Sequence, residues 1–127
     1  MTNGKKYLKE HVGGELIIDL LTSSPSFLDS SYIKEFIKDF YNEFKGKINV
    51  EKEIFYEFPN GGITYLAVLS ESHFGIHTYP EIDFISFNVY FCHINEKLFQ
   101  EMKRYILLKF KPKEKNIKIL KRGIYNE

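Results

Sequence analysis

"LSESHFGIHTYPE", Leu69 to Glu81, is the stretch whose reading decides how this chain folds. It holds two serines, two histidines and two carboxylates, with apolar segments on either side. Read as a helix, its H-x-x-x-H spacing would bring His73 and His77 together on one face, a metal-ligand pattern. Gly75, Pro80 and the β-rich run before them argue for extended chain instead. On a strand the two imidazoles stand ~13 Å apart at ~3.3 Å per residue, too far to share one ion. The stretch is therefore read as sheet with no metal site. On periodicity alone, the plainer role for both histidines is that of polar sheet residues with local hydrogen bonds.

Working outward, Ile63 to about Ser72 reads as a strand before the motif, and Phe84 to Cys92, "FISFNVYFC", as another after it. Upstream, Ile48 to Phe58 forms a strand that the turn Pro59 to Gly62, "PNGG", breaks. Gly14 to Leu21, "GELIIDLL", is the first strand. Thr22 to Ser26 turns around Pro25, and Asp29 or Ser30 can cap a helix from about Ser31 to Lys45 that Gly46 ends. Ile33, Phe36, Ile37, Phe40, Tyr41 and Phe44 give that helix one apolar stripe. Asn95 can cap a second helix, Glu96 to Lys109, which Pro112 stops, and Ile117 to Leu120 closes the chain as a short last strand. This order predicts an α+β two-layer sandwich, a mostly antiparallel sheet with helices on one face. The other face then needs a cover, which a second subunit could supply.

At 127 residues the chain fits a single domain, residues 1–127, with no repeat or linker to divide it. Its core is modest for a monomer, so association would add stability. A net charge of +1 selects no partner. The Lys and Arg residues between Lys103 and Arg122 are interrupted by Glu114 and lack the aromatics of a nucleic-acid binder, so they read as a solvated face. No apolar run approaches the ~20 residues of a membrane helix. Glu15 and Asp19 interrupt the segment after Lys5 and Lys6, which argues against a secretory signal. A single cysteine, Cys92, excludes an internal disulfide and suits a reducing cytoplasm.

Ser70, Ser72 and Cys92 each lie near a histidine in sequence or by strand pairing, so a nucleophile is possible. No G-x-S-x-G elbow surrounds the serines. A lone cysteine at a strand end is more often a small buried hydrophobe. Spacing alone thus yields a serine, a histidine and a thiol without a reaction.

The motif "SESHFGIHTYPE" resembles the processing site of the prokaryotic-type S-adenosylmethionine decarboxylases, a pyruvoyl-dependent family whose pattern is S-E-S-H-x-x-I-H-T-W-P-E. Cys92 lies twenty residues beyond Ser72, where that family carries a cysteine, and "FPNGGIT" is similar to its F-x-P-x-G-x-S. "GGELIIDL" and the terminal "KRGIYNE" are weaker echoes. The resemblance implies self-cleavage between Glu71 and Ser72. The Ser72 hydroxyl would attack the Glu71 carbonyl to give an ester. Loss of the α-proton would expel the Glu71 carboxylate, and the dehydroalanine so formed would hydrolyse to a pyruvoyl group. The products would be a β-chain, 1–71, and an α-chain, 72–127, whose keto carbonyl serves as an electron sink.

The resemblance also implies roles. His77 would carry protons in self-processing, Cys92 would protonate the carbanion after carbon dioxide leaves, and Thr64 stands where the family has a hydrogen-bonding serine. Phe58 and Tyr79 would flank an adenine and Glu81 would accept from ribose hydroxyls, with core packing of the two aromatics as the alternative in a chain so rich in Phe and Tyr. Tyr79 replaces the family's tryptophan, and Pro59 is displaced from the family's proline position. The implied protein is a cytoplasmic homodimer, its sheets packed face to face, that decarboxylates S-adenosylmethionine for spermidine synthesis. It would bind neither nucleic acid nor membrane. The alternatives are a pyruvoyl arginine or ornithine decarboxylase, or an unprocessed regulatory subunit.

Overall fold

The computed structural model describes residues 11–93 and 95–124, so the N-terminal Lys5 and Lys6 and the terminal Tyr125, Asn126 and Glu127 lie outside the described residues. The elements run β1 (His11–Thr22), a 3-10 turn (Pro25–Leu28), α1 (Ser30–Glu43), β2 (Val50–Glu57), β3 (Ile63–Leu69), β4 (Ser72–Tyr79), a second 3-10 turn (Pro80–Ile82), β5 (Phe84–Phe91), α2 (Glu96–Phe110) and β6 (Pro112–Gly123). The six strands form one sheet in the order β2-β3-β4-β5-β1-β6, with every pairing antiparallel. The α+β expectation holds.

Alternation decides which face is buried. Leu16, Ile18 and Leu20 of β1, Tyr65 and Ala67 of β3, Phe74 and Ile76 of β4, and Ile85, Phe87 and Val89 of β5 all point to one side and are buried. Both helices lie over them. Phe36 and Phe40 from α1 meet Phe87 and Phe74, and Phe110 of α2 packs at 5.3 Å against Phe87. Rings at these offset and edge-on distances add about 0.5–1.5 kcal/mol per pair beyond the area they bury. One polar chain enters this layer. Tyr41 and Tyr65 share a hydroxyl hydrogen bond of 2.6 Å, and Tyr65 donates to Glu53 Oε1 at 2.6 Å. Burial pushes the Tyr41 phenol up to about 12.

Three expectations are corrected. The strand placed at Ile63 to Ser72 is two strands: β3 ends at Leu69, Ser70 and Glu71 make a two-residue turn, and Ser72 opens β4. Neither turn residue is Gly, Asn or Pro, so the usual signal was missing. The last strand runs twelve residues rather than four, because β6 pairs along the whole of β1 despite a Lys-rich edge. The turn expected around Pro25 is present but shifted in its bounds: Thr22 still belongs to β1, and the 3-10 turn runs from Pro25 to Leu28. The caps divide. Asn95 accepts from the Leu98 amide at 3.0 Å, whereas Asp29 holds the cap position of α1 without a side-chain cap bond.

The opposite face of the sheet is open. It carries exposed Ile54, Leu66 and Val68, and a polar cluster in which Glu15 accepts from Asn88 at 2.7 Å and from Arg122 at 2.7 Å. His73 stacks on Tyr90 in that cluster, with ring centroids 5.6 Å apart.

Candidate active site

β4 carries the quoted motif, and the motif's residues part into two groups along it. His77 pairs with Thr64 of β3, and the Thr64 hydroxyl lies 3.1 Å from His77 Nδ1. The two sit on the open face, beside a cavity of about 520 Å3 that Phe58, Thr64, His77, Tyr79 and Glu81 line together. The loop after β2 shapes its rim. The Phe58 amide donates to the Gly62 carbonyl at 2.7 Å, the Gly62 amide donates to Asn60 Oδ1 at 2.9 Å, and Gly61 takes φ 91. Buried Thr78 accepts from the Ile63 amide at 2.8 Å and fastens β3 to β4 beneath the cavity.

Core packing for the two aromatics is overturned here. Phe58 is 45% exposed and Tyr79 43%, which core side chains are not. Each is braced by a neighbour: Tyr56 meets Phe58 edge-on at 4.7 Å, and Phe84 lies 5.5 Å from Tyr79. Two aromatic faces and one carboxylate, open to solvent around a cavity, can hold a flat ring carrying a diol.

The second group gathers at the other end of β4. Ser70, Glu71, Ser72 and Cys92 line a cleft of about 130 Å3 below the β3–β4 turn. Glu71 takes φ 62, a left-handed conformation that costs a non-glycine residue roughly 1–2 kcal/mol. The Cys92 thiol donates to the carbonyl oxygen of Glu71. Ser72 directs its hydroxyl at the Ser70 carbonyl, 3.4 Å away. Cys92 is exposed, so its reading as a buried hydrophobe is corrected: it lies just beyond β5, where the sheet no longer covers it.

Ser72 and His77 are not brought together within one chain. Five residues apart on one strand, they are separated by about 16 Å at ~3.3 Å per residue and fall on opposite sides of the pleat. His73 and His77 share a face, four residues apart on that same strand. Among the described residues no group of three or more potential metal ligands assembles.

Sequence reasoning missed three features. Register lines up Tyr56, Thr64, His77, Ser86 and Asp19 as one cross-strand row on the open face, which only the pairing reveals. The cluster around Glu15 is likewise a product of register. His93 lines the small cleft, and its place directly after Cys92 was the signal that could have found it.

Residues 14–123 match the family model described as S-adenosylmethionine decarboxylase. A Bacillus cereus protein named S-adenosylmethionine decarboxylase proenzyme 2 is 37% identical over 114 residues, covering 88% of this chain and 89% of its own. A Pyrococcus furiosus protein named S-adenosylmethionine decarboxylase proenzyme is 37% identical over 83 residues, 65% of this chain and 58% of that one. The crystal structure of the adenosylmethionine decarboxylase from Aquifex aeolicus superposes with a TM-score of 0.77 at 23% identity, covering 93% of this chain and 96% of that chain, and has the same fold.

Proposed function

The chain belongs to the S-adenosylmethionine decarboxylase family, and from that premise we propose that it is a self-cleaving carboxy-lyase acting on S-adenosylmethionine, with the product feeding spermidine synthesis. The observation that carries this reading is at the Glu71–Ser72 peptide. A left-handed turn residue precedes the serine, and a thiol donates to the carbonyl that the serine would attack. These residues fit formation of a pyruvoyl group from Ser72. That group, once formed, supplies an electron sink for the carbanion that decarboxylation leaves.

The chain's own residues divide the remaining work. Cys92 polarises the Glu71 carbonyl before cleavage, and in turnover its thiol returns a proton to the substrate carbon. His77, with its Nδ1 held by Thr64, is the base for the α-proton of Ser72 in the elimination step. Phe58 and Tyr79 bracket the adenine and Glu81 accepts from the ribose hydroxyls. The aromatic faces also attract a sulfonium cation. An arginine or ornithine has no adenine to fill the space between the two rings.

His77 cannot reach Ser72 of its own chain at ~16 Å, so a homodimer joined through the open sheet faces completes the site. An isologous two-fold pairing would bring the Thr64–His77 pair of one protomer to the β3–β4 turn of the other from the open face, the side away from the Ser72 hydroxyl, where the α-proton of Ser72 would be taken. Exposed Ile54, Leu66 and Val68 give that face apolar surface to bury. We infer a cytoplasmic setting, because an exposed catalytic thiol must stay reduced. No helix among the described residues is long and apolar enough to cross a membrane.

Intact-mass measurement of the purified protein tests the reading. Two fragments are expected, one ending at Glu71 and one starting at residue 72 with a blocked terminus. S-adenosylmethionine with cyanoborohydride should add mass to the second fragment alone. A single uncut chain that releases carbon dioxide from S-adenosylmethionine would overturn the mechanism.

A further inference from the structure

The cleft around the scissile peptide contains an imidazole with no part in the scheme above. His93 follows Cys92 and lines the same space of about 130 Å3 as Glu71 and Ser72. It is the imidazole that lines this cleft among the described residues, because His77 borders the large cavity on the other face. Resting on the reading that Glu71–Ser72 is the bond cleaved, we propose that His93 is the proton acceptor for the Ser72 hydroxyl in the first step of self-cleavage.

That step needs a proton acceptor, and neither the Ser70 carbonyl nor the Cys92 thiol is placed to be one. In the resting chain the Ser72 hydroxyl points its proton at the Ser70 carbonyl, which cannot remove it. Cys92 is engaged as a donor to the Glu71 oxygen and so acts on the opposite partner of the reaction. The other charged residues that line the cleft are Glu71 and Lys47, and the Lys47 ammonium pairs with Glu101 Oε1 at 3.2 Å.

The step balances without a co-reactant. His93 takes the Ser72 Oγ proton as Oγ bonds to the Glu71 carbonyl carbon, closing a five-membered ring through Cβ, Cα and N. The carbonyl π electrons move to the oxygen, where the Cys92 S–H stabilises the negative charge as an oxyanion-hole donor does. The C–N bond then breaks, and the imidazolium returns the same proton to the departing nitrogen of Ser72. The products are an ester and a free amine, with one proton borrowed and returned. A single imidazole serving as base and then as acid is the logic of serine acyl transfer. His77 then acts on the ester, so the two histidines govern successive steps.

Cell-free translation of the full chain, with cleavage followed over time at pH 6, 7 and 8, tests the assignment. A general base acts only in its unprotonated form, so wild-type cleavage should speed up as the pH is raised. His93→Gln should slow it by about 100-fold, the lower end for loss of a general base, and should flatten the profile. Added imidazole should partly restore His93→Ala, which a merely structural defect would not allow. Hydroxylamine separates the steps, because it cuts esters. His77→Ala should accumulate the ester and be cut after Glu71 by hydroxylamine, while His93→Gln should resist. The proposal falls if His93→Gln cleaves at the wild-type rate with an unchanged pH profile, or if hydroxylamine cuts it as readily as His77→Ala. A wild-type chain never cut between Glu71 and Ser72 would instead overturn the parent reading.

Discussion

At its Ser72 end β4 is entered through Glu71, a non-glycine residue at φ 62, and faces a cleft of about 130 Å3; at its Tyr79 end it faces the Gly61–Gly62 loop across a cavity of about 520 Å3. The first region is tight, and its groups touch the backbone: a thiol on the Glu71 carbonyl and a hydroxyl on that of Ser70. The second is roomy, and its groups are side chains turned outward, two of them aromatic and nearly half exposed. Glycine appears where the chain turns around a ligand-sized space, while glutamate is forced into the left-handed region beside the proposed cleavage point. The difference teaches how one strand can serve the two parts of the proposed function, the tight end suited to act on the chain itself and the roomy end to receive a small molecule.

The largest effect that could break this division comes from Ser72→Ala. Without a hydroxyl there is no nucleophile, so the chain should stay full-length and decarboxylation should fall below detection, roughly 1,000-fold or more. The chain should remain folded, because Ser72 makes only a 3.4 Å hydrogen bond. Gel mobility, carbon dioxide release and circular dichroism check the three statements together.

Next in size are Cys92→Ala and His77→Ala, each expected to cost about 10²–10⁴-fold in the step it serves. Cys92→Ala should still give two fragments, more slowly, with turnover reduced far more than cleavage. His77→Ala should stall before the blocked fragment forms. If His77→Ala matures normally while Cys92→Ala stays uncut, the roles of the two ends are reversed. A complementation experiment sharpens the point further. Mixing His77→Ala and Ser72→Ala chains should yield some cleaved product if sites form across two protomers.

How much of this was legible in the sequence depends on what fixes each feature. The strands and helices followed from local pattern: β5 alternates buried and half-buried residues along its whole length, and Asn95 caps α2 as its chemistry suggested. The β3–β4 turn did not, because Ser70 and Glu71 carry none of the residues that normally mark a two-residue turn. What bends the chain there is pairing on both sides, Leu69 with Ser72 and Ser72 with Phe91. The candidate residues stood out by motif, but their separation into two groups did not. It depends on strand period and register, which put Ser72 and His77 on opposite sides of the pleat. The exposure of Cys92 was hidden, and that of Phe58 and Tyr79 followed only from the family resemblance, since composition does not tell rim from core before the sheet is laid out.

A smaller effect is expected from Phe58→Ala at the open end. Stacking on an aromatic face contributes about 1–3 kcal/mol in base-binding proteins, so KM for S-adenosylmethionine should rise by about 5- to 150-fold. Cleavage of the chain should be unchanged, because Phe58 lines only the large cavity. A slowed cleavage would mean that the two ends are coupled through β3 and β4. An unchanged KM would remove Phe58 from the adenine site.

The smallest expected effect tests whether the tight end stores strain for cleavage. Holding Glu71 at φ 62 costs roughly 1–2 kcal/mol, and glycine would remove that cost at an entropic penalty of about 0.5–1 kcal/mol in the unfolded chain. The net is a stabilisation of under about 1.5 kcal/mol, a few degrees in Tm for a chain of this size. The comparison is best made in an uncut background, Ser72→Ala against Glu71→Gly/Ser72→Ala, where only the turn differs. In the cleavable chain, Glu71→Gly should slow maturation by up to about tenfold, because relief of strain in the folded proenzyme deepens the ground state from which Ser72 attacks. Loss of the Glu71 side chain leaves its backbone carbonyl, the group that Cys92 contacts, in place. A rise in Tm with no change in cleavage rate would show that the left-handed turn only shapes the hairpin. A slower cleavage accompanied by the higher Tm would tie the strain to the bond it precedes.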